Sequence, residues 1–128
     1  MTYLTRQEIL DKVVEHFRAQ GGPAVTKRHT CAYRAEDGKK CAVGVLIPDS
    51  FYTPAMEGRT AQTLARIFPD ALRAAGVDPE RDSDFLTSLQ MVHDNAAITY
   101  YLCGNFMSTF MERMGYLAKR EGLVIRSN

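Results

Sequence analysis

A chain of 128 residues, 45% apolar and 24% charged, has the size and composition of one globular domain. Sixteen Lys and Arg against fifteen Asp and Glu leave a formal charge of +1, which excludes a general attraction to nucleic acid or acidic membranes. No apolar run approaches the ~20 residues that span a bilayer. The amino terminus lacks the apolar segment and small-residue cleavage site of a secretory signal. Three cysteines, an odd number, argue against a disulfide framework and for reduced thiols in a cytosol.

In chain order, Thr5 and Glu8 form a capping box. Ile9, Leu10, Val13, Val14 and Phe17 follow on one face, and Gly21-Gly22-Pro23 ends the element, so a helix is predicted over about residues 6–20. Residues 31–34 and 40–47 are short β-capable runs on either side of Glu36-Asp37-Gly38-Lys39. Asp-Gly between such runs predicts a hairpin, because a type I′ turn needs positive φ at both central residues. With Asp37-Gly38 as the loop, Arg34 faces Cys41 and Cys31 faces Gly44, which puts the two thiols on opposite faces. The rival reading makes residues 40–46 a short helix with Cys41 near its start.

Residues 48–58 are rich in turn formers, and Gly58 suits a left-handed conformation. Thr60 can cap a second helix whose apolar phase continues through Pro69, which either kinks that helix or opens another at its first position. Phe85, Leu86, Leu89, Val92, His93 and Ala96 share a face, predicting a helix over about residues 83–96. Residues 98–103 read equally as strand or as helix continuation. Asn105 caps a last helix ending near Gly122, before a β-capable tail at residues 123–125. The expectation is a single domain over residues 1–128, α+β and mainly helical. Four or five helices pack round a small hairpin near residues 31–47, with the tail as a possible extra strand.

Several of these residues form a combined pattern. Cys31, Tyr33 and Arg34 are followed by Lys40, Cys41, Ala42, Gly44 and Leu46-Ile47-Pro48-Asp49. Tyr52, Glu57-Gly58, Leu89-Gln90 and His93-Asp94 complete it. This pattern, over about residues 31–122, resembles a family of small uncharacterised proteins common in bacteriophage and prophage genomes and in some bacterial genomes. The resemblance implies an intracellular accessory protein. Such a protein would act by binding a host protein or sequestering a small ligand, including in counter-defence.

The candidate sites follow from residue chemistry. Arg34, Glu57, Gln90 and His93 are expected to converge if the middle of the chain folds onto the third amphipathic helix, making either a polar centre for a ligand or partner or an internal hydrogen-bond network that fixes the loop to the helix. Glu57 is the expected carboxylate for Arg34, and Tyr33 and Lys40 extend the set. Lys27, Arg28, His29, Lys39 and Lys40 add positive charge that suits phosphate oxygens or an acidic partner, a solvated turn being the plain alternative.

A cysteine enzyme is the alternative, with Cys41 as nucleophile, His93 as base and Asp94 beside it. Adjacent helical positions diverge by about a quarter-turn, so Asp94 is not expected to orient the His93 ring. A zinc module would draw on His29, Cys31, Cys41 and either His93 or Cys103, though no Cys-x-x-Cys spacing is present. No cofactor is expected. Met107, Met111 and Met114 form a stripe that suits the core or a homodimer seam.

Overall fold

The structure, a computed structural model, describes residues 2–28 and 30–126. Among the described residues five α-helices carry the fold: α1 (Arg6–Gln20), α2 (Ala61–Ile67), α3 (Pro69–Ala74), α4 (Ser83–Cys103) and α5 (Met107–Glu121). Thr5 caps α1 reciprocally with Glu8, its hydroxyl taking the Glu8 N–H while the Glu8 carboxylate takes the Thr5 N–H. The five apolar residues of the α1 face are all buried. Pro69 opens α3 at its first turn, where its missing N–H costs nothing, so the second and third helices are separate elements. Residues 98–103 continue α4, which runs 21 residues to a left-handed Gly104. No helix among the described residues is long and apolar enough to cross a membrane.

The long α4 is the central rod, packed against α5 on one side and α2 on another, while α1 rests on α5. Phe17 of α1 meets Phe110 of α5 with ring centroids 4.6 Å apart, and Phe106 stacks on Phe110 at 5.3 Å. The His93 ring of α4 joins this aromatic group, 5.7 Å from Phe17 and 5.8 Å from Phe106. Met114 is buried and Met107 and Met111 pack against the same core, so the methionine stripe is largely internal. Arg6 ties three helix ends together, reaching the fully buried Asp82 at 2.9 Å, Asp84 at 2.9 Å and Glu121 at 2.6 Å.

The expected hairpin is absent. Among the described residues there is no strand, only single-residue antiparallel bridges between Val25 and Cys31 and between Arg34 and Lys40, and the fold is all-α rather than α+β. The Asp37-Gly38 segment does turn the chain, with Gly38 at a φ of 90° and Ala35 receiving its N–H at 3.0 Å. Arg34, however, lies opposite Lys40 rather than Cys41, and Cys31 opposite Val25 rather than Gly44. Beyond Lys40 the chain coils into a 3₁₀ turn at Gly44–Leu46, closer to the short-helix alternative.

Remote side chains explain why no ladder forms. Buried backbone donors must be satisfied by some acceptor, and here side chains do what a neighbouring strand would do. Glu57 takes the N–H groups of Tyr33 and Arg34 at 2.9 and 3.1 Å. His93 Nε2 takes that of Ala24 at 3.0 Å, Gln90 that of Val43 at 3.2 Å and Gln20 that of Lys40 at 2.9 Å. The tail follows the same rule: Val124 is no strand residue, and the Gln7 amide both accepts its N–H and donates to its carbonyl. Residues 21–28 and 30–60 thus form an irregular layer pinned to α1 by Gln20 and to α4 by Gln90 and His93, with Glu57 bracing it from within.

Candidate functional site

Where this layer meets α4 there is a cavity of about 340 Å³. One wall is Thr30, Cys31, Ala32 and Tyr33, a second runs from Glu57 to Ala61, and α4 supplies Thr87, Gln90, Met91 and Asp94. Gly58 lines it with a φ of 78°, the left-handed turn that returns the chain towards α2 and that glycine alone adopts without strain.

Hydrogen bonds from inside the protein hold its polar groups. Gln90 accepts the Val43 N–H and donates to Asp94 Oδ1 at 2.9 Å. His93, fully buried, faces the Ala24 N–H with Nε2 and Asp94 Oδ1 with Nδ1 at 2.9 Å. A backbone N–H can only donate, so Nε2 must offer its lone pair, and the proton of the neutral ring sits on Nδ1, pointed at the carboxylate. The adjacent Asp94 therefore does hold the His93 ring, contrary to the helical-wheel expectation; both side chains bend round the helix to meet. The Cys31 sulfur lies within 4.8 Å of an Asp94 carboxylate oxygen. Although burial opposes ionisation, His93, Cys31 and Gln90 bring the Asp94 carboxyl below the usual range.

Arg34 and Glu57 meet through different atoms from those expected. Glu57 binds the Arg34 backbone, not its guanidinium, and also accepts from the Tyr52 hydroxyl at 2.6 Å. Burial and this carboxylate push the Tyr52 phenol up to about 12. The Arg34 guanidinium turns away from the cavity, donating to the Ile47 carbonyl at 2.8 Å and pairing with Asp49 at 2.7 Å, while stacked over Tyr52. Its buried Nε has no partner among the described residues. Lys40 lies on the same side, 3.8 Å from Asp49. Of the expected set, Tyr33, Glu57 and Gln90 line the cavity, His93 braces it from behind, and Arg34 and Lys40 lie outside. Asp49 as the partner of Arg34 had no sequence signal. Thr87, Met91 and Asp94 did have one, since a spacing of four and then three puts them on one helix face beside Gln90.

The three thiols sit in unlike places. Cys41 is buried, its sulfur accepting the Gly44 N–H at 3.3 Å, and burial pushes its thiol far up. Neither His93 nitrogen is free to act on it. Cys31, half-buried beside Asp94, is pushed up to about 12, first by burial and then by the carboxylate. Cys103 is exposed at the end of α4. A thiol reagent near neutral pH is expected to label Cys103 first, Cys31 much more slowly and Cys41 only on unfolding, as intact-mass peptide mapping against time would show. Rapid selective labelling of Cys41 would contradict this placement.

Cys31, His93 and Asp94 bring a sulfur, a nitrogen and an oxygen within 4.8 Å of one another. Metal ligation through Nδ1 would require the neutral ring to carry its proton on Nε2, where it would face the Ala24 N–H. The donor set does not fit a metal centre in this geometry; it is wired as a hydrogen-bond network. Cys41 and Cys103 are not part of this cluster, and His29 lies outside the described residues.

Comparisons of the chain with protein-family models, with curated proteins and with solved structures gave no match.

Proposed function

We propose that the protein is a non-enzymatic binding protein that holds a small polar ligand in the cavity between α4 and the two loops, in keeping with the phage-type accessory role that the sequence resemblance implies. The observation that carries this reading is the way the cavity is built. Gln90 and Asp94 are fixed by contacts to buried groups behind them, so they face the cavity already oriented and lose little freedom on binding. Met91, Ala61, Ala32 and Tyr33 provide apolar contact around them. A volume of about 340 Å³ falls within the ~300–1,000 Å³ range of small-molecule sites.

The test is a titration of isotope-labelled protein with a panel of polar fragments, followed by amide NMR. Hits are expected to shift the resonances of Cys31, Tyr33, Gln90 and Asp94 together. Thr87→Trp, which fills the cavity from α4, is expected to abolish those shifts. A panel that moves none of these resonances, or a tryptophan variant that binds as before, would overturn the reading.

A further inference from the structure

We propose that the ligand this cavity takes is a small primary ammonium compound with an apolar body, its charged nitrogen seated on the Oδ2 edge of Asp94. The proposal rests on the cavity being a ligand site, and goes on to the charge and shape of what fills it.

The distribution of donors around Asp94 makes the case. Both strong internal hydrogen bonds, from Gln90 and from His93, fall on Oδ1. A carboxylate oxygen accepts about two hydrogen bonds, so Oδ1 is full. Oδ2 has at most the Cys31 thiol, a weak donor, and the side chain keeps 43% of its surface open. Among the described residues, no lysine or arginine forms an ion pair with this carboxylate, and the His93 ring beside it is the neutral form that donates through Nδ1. The cation of the cavity wall, Arg59, is turned elsewhere, donating to the Ala55 carbonyl at 2.8 Å and lying 6.0 Å from the Phe68 ring.

Glu57 adds a second negative charge to the cavity, but Tyr33, Arg34 and Tyr52 use both of its oxygens, so it contributes field and no contact. A carboxylate more than half withdrawn from water and held in place by neutral donors lacks the counter-charge that such groups ordinarily have. The complement is a cation brought by the ligand.

The same geometry selects the kind of cation. A guanidinium or amidinium binds a carboxylate best through both oxygens at once. With Oδ1 occupied, that fork has no second seat. An ammonium is a point charge that needs only one oxygen. The apolar remainder of the ligand then rests on Met91, Ala61 and Tyr33.

Three probes of one shape separate the alternatives: benzylamine, protonated at neutral pH, benzyl alcohol and benzoate, each titrated at low salt with amide NMR as readout. Benzylamine is expected to bind at least about tenfold more tightly than benzyl alcohol, with benzoate silent. Asp94→Asn is expected to bring benzylamine down to the alcohol's affinity, with a thermal melt checking that the variant is folded. Met91→Lys, at a position 57% exposed, offers the carboxylate an internal cation without touching the network, and is expected to displace benzylamine as well. Equal affinity for the alcohol and the amine, or tighter binding of benzoate, would overturn the cation while leaving the ligand site standing. No shift with any of the three would bring down both.

Discussion

Gly44→Ala is expected to cost about 3 kcal/mol or more of stability, a large share of the ~5–15 kcal/mol that holds a domain of this size together. A Cβ placed on Gly44 runs into the carbonyl oxygen of Tyr33, with the Tyr33 carbonyl carbon 2.9 Å away. Those are backbone atoms, and no rotamer change relieves the overlap. Nor can the Tyr33 peptide retreat easily. Its carbonyl accepts the Cys41 N–H at 3.3 Å, and its N–H is held by Glu57 at 2.9 Å. Any shift must pull the first cavity wall off the 3₁₀ turn. Urea unfolding measures the loss directly; the melting temperature should fall by roughly 10 °C or more. A variant within about 0.5 kcal/mol of the parent would mean that the two segments do not touch.

Glu57→Ala ranks next, at about 3 kcal/mol, because one carboxylate holds three donors. The Tyr33 and Arg34 N–H groups lie on its two oxygens, and the Tyr52 hydroxyl reaches Oε2 at 2.6 Å. Hydrogen bonds to a charged acceptor contribute ~1.5–3 kcal/mol each where water is excluded, and less here because Glu57 is only half-buried. Removing the side chain leaves adjacent backbone donors facing the cavity with no protein acceptor. Glu57→Gln keeps the shape but presents an N–H₂ to one of those donors, so it should lose a smaller amount, about 1–2 kcal/mol. The ordering of alanine below glutamine below the parent in urea midpoint is the result to look for. An alanine variant as stable as the parent would sink the clamp.

The helices were legible because their apolar spacing is local. Thr5 with Glu8 gave the start of α1, Pro69 marked a helix boundary, and the shared face of Phe85, Leu89 and Ala96 located α4. The middle of the chain was not legible in the same way. Residues 31–34 and 40–47 have β-capable side chains, but the acceptors for the N–H groups of Tyr33, Arg34, Lys40 and Val43 come from Glu57, Gln20 and Gln90, and that for Ala24 from His93. Those partners lie 20 to 69 residues away, and no window along the sequence reveals them. A strand propensity is satisfied equally by another strand or by a series of side-chain amides and carboxylates, and the second solution was chosen here.

The candidate site shows the same division. Glu57 and Gln90 reach the cavity as convergence on the third amphipathic helix required, and Tyr33 lines it with them. The guanidinium of Arg34 went to Asp49 instead, since Glu57 was already committed to backbone donors. His93 and Asp94 were separated by an argument that treated side chains as rigid spokes. Two short side chains with free torsions close that angle, and a buried imidazole needs a partner for each nitrogen.

Side-chain acceptors create the cavity: Gln20 of α1 and Gln90 and His93 of α4 pin the irregular layer to the helices, and Glu57 braces it from within. Amide hydrogen exchange read by NMR tests this most directly, at the N–H groups of Ala24, Tyr33, Arg34, Lys40 and Val43. All five are expected to exchange on the order of a hundredfold more slowly than free chain, and in Glu57→Ala the protection should fall first at Tyr33 and Arg34. Exchange of all five at the rate of unstructured chain would contradict the account.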